Sequence, residues 1–143
     1  MKLRRCAGVL LAGVLAASGC AGTEKALAGP KVNPAKVEKL AGSELSKLTL
    51  TDKAVERLGI RLAASQPAPG NMLAVPYSAV VYDTKGMAWV FVSAAQGVFQ
   101  RASVSVASMK DGVAYLTAGP AAGTSVVAAG AAELFGAELG IGK

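Results

Sequence analysis

The side chains that carry out most protein chemistry are scarce in this chain. It contains no histidine and only two cysteines, Cys6 and Cys20. Without histidine, the commonest general base and zinc ligand, the chain has no Ser-His or Cys-His nucleophile pair. Glu133 and Glu138 are close in sequence, but residues five apart on a helix point about 140° away from each other. We therefore expect no catalytic residues and no enzymatic activity.

Methionine is the remaining soft metal ligand. A copper or silver site would require the fold to bring Met72, Met87 and Met109 together, whereas methionine more often fills gaps or lies exposed. Residues 119–123 are rich in glycine, but they lack the lysine and the capped helix of a phosphate-binding loop. The sequence therefore predicts no metal site and no cofactor.

Cys20 is the residue whose context predicts a covalent modification. Residues 1–5 are basic, residues 7–17 are apolar and small residues precede the cysteine, which is the pattern of a secretory signal. The segment resembles the bacterial lipobox, although Ala17 replaces the usual branched aliphatic residue. We expect cleavage before Cys20, attachment of lipid to its sulfur, and stable anchoring at the extracytoplasmic face of the cell membrane. The alternative is ordinary signal peptidase cleavage after Gly19 or Ala21, which would release a soluble protein.

Loss of the predicted signal peptide, residues 1–19, changes the charge of the chain. Twelve basic and nine acidic side chains remain, so the formal net charge falls from +6 to +3. The cations are not interleaved with aromatic residues, and we expect no nucleic-acid partner. Residues 20–46, rich in Ala, Gly, Pro and Lys, predict a flexible tether. Eight of the remaining cations lie in the third of the chain nearest the predicted anchor: Lys25, Lys31, Lys36, Lys39, Lys47, Lys53, Arg57 and Arg61. Each would contribute about 1 kcal/mol of attraction to an anionic leaflet, or would simply be solvated.

Residues 47–143 predict a mainly β domain, a small antiparallel sheet or barrel-like fold with one short helix. Thr51 and Asp52 are suited to start that helix. The prolines of residues 66–71 predict an exposed connector that does not continue a strand ladder. Residues 75–82 and 87–92 then predict the two strands of a hairpin around the turn Asp83–Gly86.

The second half of the domain continues the β pattern. Residues 98–106 alternate strictly between two unlike sets of side chains, as expected of a strand. Asp111-Gly112 predicts another turn, residues 124–128 a last strand, and residues 131–135 a helical turn. The aromatic residues should dominate the core: Trp89, Phe91, Tyr82, Phe99, Tyr115 and Phe135.

Three segments of the domain together resemble one protein family. They are Leu48-Thr49-Leu50-Thr51 with residues 54–60, then Val75-Pro76 with Ser78, Ala79, Val80, Asp83, Gly86 and residues 89–92, and finally Gly123, Val126-Val127, Gly130 and Glu133-Leu134. In this order they look like the membrane-proximal domain of periplasmic adaptors, also called membrane fusion proteins, of resistance-nodulation-division (RND) efflux pumps. The resemblance covers most of residues 48–139.

The chain also departs from that family. Only six residues separate Gln66 from Leu73, where a full adaptor carries its lipoyl domain, helical hairpin and β-barrel, and Thr124 replaces an acidic residue. The resemblance therefore implies a stand-alone membrane-proximal-type domain that meets a transporter or another envelope protein. We expect Lys85, Arg101 and Lys110 on its exposed, partner-facing surface. Two alternatives remain: an extracytoplasmic lipoprotein that binds a small hydrophobic ligand or a metal, and a structural envelope component.

Overall fold

The computed structural model describes residues 33–141, and most of these lie in antiparallel strands, as predicted. Cys20 and the signal peptide lie outside the described residues. The strands are β1 (Ala35–Lys39), β2 (Ser46–Leu50), β3 (Arg61–Ala64), β4 (Gln66–Ala68), β5 (Met72–Pro76), β6 (Val80–Tyr82), β7 (Ala88–Ala95), β8 (Val98–Lys110), β9 (Val113–Ala118) and β10 (Ser125–Ala129). The α-helices are α1 (Asp52–Arg57) and α2 (Ala131–Glu138), and a 3-10 turn covers Tyr77–Ala79.

The order of the strands makes the sheet barrel-like. Neighbouring strands follow the order β3, β10, β7, β8, β9, β5 and β4. β3 and β4 are the first and last strands of this order, and in the chain only Ser65 separates them. The sheet therefore curls so that its two ends meet at Ser65. The buried Ser65 holds this join: its hydroxyl donates to the carbonyl oxygen of Ala121 at 2.8 Å, and its amide donates to that of Thr124 at 2.9 Å.

The two faces of the curled sheet pack into two separate cores. The interior core takes small aliphatic side chains from five strands of the ring: Val75, Val90, Val104, Ala114, Leu116 and Val126, with Ala79. The outer core lies where β2, α1 and α2 cover the outside of the sheet, and it contains Leu48, Leu50, Ala54, Val81, Phe91, Phe99, Val127, Ala131 and Leu134. Alternation along β7 explains the division, because Val90 points inward and Phe91 outward.

Local sequence signals explain several element boundaries. The Thr51 hydroxyl accepts a hydrogen bond from the amide of Ala54 at 3.3 Å, so the predicted N-cap of α1 is confirmed. The predicted turn at Asp111-Gly112 is also confirmed, and both of its residues have positive φ, of 52° and 78°. Helix α2 is longer than the turn predicted at residues 131–135 and includes Gly136.

The ordered domain begins before residue 47. Residues 35–39, predicted to lie in the flexible tether, form β1 and pair with β2 from Ala35 opposite Leu50 to Lys39 opposite Ser46. Ala35 and Val37 pack against the outer core, which gives this short segment an apolar face. On the other face, Glu38 forms ion pairs with Lys36 at 2.8 Å and with Lys47 at 3.2 Å.

Two details of the predicted β pattern were wrong. Residues 66–68 are not part of a simple connector, because they form β4 and pair with β5, with Pro67 opposite Leu73. β4 lies at the end of the strand order, where a proline is tolerated. Val75 is not in the predicted hairpin either, since it belongs to β5 and pairs with Ala114 of β9. The hairpin around residues 83–87 consists of β6 and β7.

Candidate functional site

One end of the curled, barrel-like sheet exposes a patch of large apolar side chains. Tyr82, Met87 and Met109 keep 48%, 49% and 42% of their surface exposed. They border an open groove of about 510 Å³, which we call the mouth. The mouth is lined by Tyr82, Gly86, Met87, Ala88, Val104, Val106 and Met109. Ala88, Val104 and Val106 also belong to or pack against the interior core, so the mouth is a place where this core approaches solvent.

Strand pairing brings the residues of the mouth together. Tyr82 of β6 lies opposite Ala88 of β7, which lies opposite Val104 of β8, so the three form one row across the sheet. The pairing of β8 with β9 shifts register between Ser105 and Ser108. Such irregularities bend a strand, and Met109, beyond this one, lines the same groove as Met87.

Asp83 fixes the turn that carries Met87. Its Oδ1 accepts hydrogen bonds from the amides of Lys85 and Met87, both at 2.9 Å, and its Oδ2 accepts one from the indole Nε1 of Trp89 at 3.0 Å. The bond from Trp89 is the main reason that the pKa of Asp83 is lowered, and the two amides contribute further. A fully ionised Asp83 therefore holds Met87 in a defined position at the edge of the mouth.

Trp89 connects this turn to a charged residue below the surface. The guanidinium carbon of Arg101 lies 4.5 Å from the centroid of the Trp89 ring and 5.5 Å from that of Phe135 in α2. These distances are in the range of cation–π attraction. Arg101 therefore lies between an aromatic side chain of β7 and one of α2.

Arg101 forms an ion pair with Glu138 in the same buried layer. Its Nε lies 2.9 Å from Oε2 of Glu138, and the two side chains are only 10% and 3% exposed. The contact is short but poorly aligned, so neither atom completes a good hydrogen bond. The other oxygen, Oε1, accepts from the amide of Ser46 at 3.1 Å. Burial raises the pKa of Glu138, and the charge of Arg101 offsets only part of this effect.

The three residues predicted to face a partner lie in different environments. Arg101 is not on an exposed face, because the pairing of β7 with β8 turns it toward Trp89 and α2. Lys85 and Lys110 are exposed, as expected, and each directly adjoins a residue of the mouth, Gly86 or Met109. Lys85 also approaches Glu44 at 3.8 Å.

The mouth itself is absent from the sequence-based prediction. The turn at Asp83 placed Tyr82 and Met87 close together, but no local pattern indicated that Met109, more than twenty residues later, would join them. The ion pair of Glu138 was also not predicted. From the sequence, Glu138 was compared only with the nearby Glu133, whereas its partner is Arg101 in a strand distant in sequence. Of the three methionines, Met87 and Met109 line the mouth, whereas Met72 lies in β5 outside it.

The mouth is suited to apolar contact. Within residues 33–141 no cluster of three or more Cys, Asp or Glu residues has the geometry of a metal site. Two methionines and a tyrosine around an aliphatic groove can adapt to an apolar surface or ligand. In the same part of the chain, no helix is both long and apolar enough to span a membrane.

Comparison with known proteins adds no relative. The chain matches no protein-family model, no curated protein and no solved structure at a significant level.

Proposed function

We propose that this protein is a non-enzymatic lipoprotein, anchored through Cys20 to the extracytoplasmic face of the cell membrane, that presents its β-domain to a transporter or another envelope protein. The exposed apolar mouth is the observation that carries the proposal. Tyr82, Met87 and Met109 are exposed apolar side chains around one groove at the end of the curled sheet, and Asp83 holds the turn that carries Met87. Clustered exposed hydrophobic residues are typical of interaction sites.

The chemistry around the mouth suggests what the partner surface is like. Lys85 and Lys110 adjoin the apolar groove and are both exposed, so an apolar partner surface with acidic residues at its edge would be complementary. A transporter is proposed on the resemblance of residues 48–139 to RND adaptor domains. The motifs on which it rests fall on β2 with α1, on β5–β7, and on β10 with α2, which all belong to the barrel and its outer layer.

Site-specific crosslinking in whole cells tests this proposal. A photoreactive amino acid at Met87 should capture a membrane or envelope protein, whereas the same group at Leu62 should not. Leu62 is a matched control because its exposure, 49%, equals that of Met87 and it lies outside the mouth. Capture of no such protein at Met87, or of the same proteins at both positions, would contradict the proposal. Cys20→Ser should abolish lipid attachment and weaken retention of the protein in the membrane fraction.

A second function is favoured by the size of the mouth. Its volume of about 510 Å³ lies within the range of small-molecule sites, roughly 300–1,000 Å³, and five of its seven lining residues have aliphatic or thioether side chains. The alternative is therefore an extracytoplasmic receptor for a small hydrophobic ligand. A fluorescent apolar dye should then bind the protein, and Met109→Glu should weaken its binding. Dye binding that Met109→Glu leaves unchanged would exclude the mouth as the site.

A further inference from the structure

A second apolar surface lies where the described chain begins. Ile141 and Leu139 are the most exposed large hydrophobic residues of the described part, at 71% and 55%. Ile141 borders a groove of about 450 Å³, lined by Asn33, Pro34, Ala35, Val37, Ala137, Gly140 and Ile141. We call Leu139, Ile141 and this groove the entry face, because residue 33 is where the chain enters the described domain.

The exposure of Ile141 is built into the end of α2. The amide of Ile141 donates to the carbonyl oxygen of Gly136 at 2.9 Å, that of Gly140 donates to Ala137 at 3.2 Å, and Gly140 has φ of 73°. This is a Schellman motif, in which an apolar residue at the position of Ile141 frequently packs against the residue at the position of Gly136 or Phe135. Glycine offers no side chain at the first of these positions, and Ile141, held by its amide hydrogen bond, keeps 71% of its surface exposed.

Two basic residues lie beside the entry face. Pro34 belongs both to its groove and to a neighbouring one lined by Lys53 and Arg57, with Asp52. Apolar residues with cations around them are the combination that binds the interfacial region of an anionic bilayer.

The predicted lipid anchor would hold this face close to a membrane. Thirteen residues lead from Cys20 to Asn33, and a chain of that length reaches at most about 45 Å. The domain is therefore tethered by its entry face.

We propose that the entry face docks on the surface of an anionic phospholipid bilayer, with Leu139 and Ile141 reaching into the interfacial layer. The proposal deepens the proposed function, because it rests on the anchor at Cys20.

An environment-sensitive fluorophore on a single cysteine tests the docking. The label is placed at Ile141→Cys, or at Leu62→Cys as the control, in the full chain carrying Cys6→Ser. Each is prepared with lipid on Cys20 and, separately, with Cys20→Ser. Vesicles of phosphatidylcholine with phosphatidylglycerol should shift the emission of the label at position 141 to the blue, and the label at position 62 should not respond.

Partitioning of the protein between buffer and vesicles measures how much the apolar side chains contribute to membrane binding. In the Cys20→Ser chain, Leu139→Ser with Ile141→Ser should lower binding to the anionic vesicles by about tenfold or more, since two exposed aliphatic side chains lose their burial. Leu62→Ser should leave binding unchanged. A label at position 141 that stays as exposed to water as that at position 62 overturns the docking, with or without lipid on Cys20.

The same experiment separates docking from anchoring. The mass of the protein purified from membranes reports whether Cys20 carries lipid. If Cys20 is unmodified in the protein purified from membranes and the label at position 141 still enters anionic vesicles, the result supports docking and refutes the anchor. A lipidated chain whose label remains in water refutes docking and leaves the anchor standing.

Discussion

Removing the charge of Arg101 should destabilise the domain more than any surface substitution. Arg101→Met keeps an apolar side chain beside Trp89 and Phe135 but leaves the carboxylate of Glu138, which is 3% exposed, without its cation. Breaking one side of a buried pair typically costs 3–5 kcal/mol. For a domain of this size we expect a loss of about 3 kcal/mol, which corresponds to a fall in Tm of ~12–24 °C.

The pH dependence gives this prediction a distinctive sign. Burial already raises the pKa of Glu138 above its ordinary value of 4.5, and without Arg101 this pKa rises further. When the pKa of a carboxyl group is higher in the folded than in the unfolded state, the group destabilises the fold as pH rises from the unfolded-state pKa through the folded-state pKa. The stability difference between Arg101→Met and the unmodified protein should therefore be smallest at acidic pH and largest at neutral pH.

Urea and thermal unfolding across this pH range provide the measurement. Trp89 is the only tryptophan and stacks on Arg101, so its fluorescence reports the site directly. Arg101→Met with Glu138→Gln should recover most of the lost stability, because no buried charge remains. Lys36→Met removes a cation that is 70% exposed and should change little. The reasoning fails if the double variant is as unstable as Arg101→Met, or if the loss does not depend on pH.

Two further predictions concern turns. Asp83→Ala should lower the Tm and shift the emission of Trp89, and it should weaken the loss of stability on acidification. The pKa of Asp83 is lower in the folded than in the unfolded state, so its ionised carboxylate contributes stability above the unfolded pKa, and this stability is lost as pH falls through the folded pKa. An acid transition that Asp83→Ala leaves unchanged would contradict this role of Asp83. Gly97→Ala should cost about 2–4 kcal/mol in urea unfolding, because φ is 68° and the new Cβ would lie 2.6 Å from the carbonyl oxygen of Leu50. Gly112→Ala has similar φ but open space, so an equal cost would refute the clash.

Local interactions explain what the sequence could predict. The cap at Thr51 and the turns at Asp83 and Asp111 each depend on contacts within a few residues, so their signals are complete in a short window. The mainly β class followed from the same turns and from the alternation along β8. These features are the ones that the structure confirms.

Nonlocal pairing explains what the sequence could not predict. β1 has only two core-facing residues, Ala35 and Val37, between prolines and lysines, and it is a strand because β2 is available as a partner. β4 contains a proline, which is tolerated because β4 is the last strand of the order and pairs only with β5. The same reasoning applies to Arg101, whose charge suggested exposure until its partner in α2 was known.

The contacts from Asp83 to Glu138 bear on how the mouth should be tested. Asp83 holds the turn of Met87, Trp89 bonds to Asp83 and stacks on Arg101, and Arg101 pairs with Glu138. A substitution at Arg101 should therefore weaken capture of the proposed partner at the mouth without any direct contact with that partner. The loss of capture should follow the change in Trp89 fluorescence and be reduced in the double variant with Glu138→Gln.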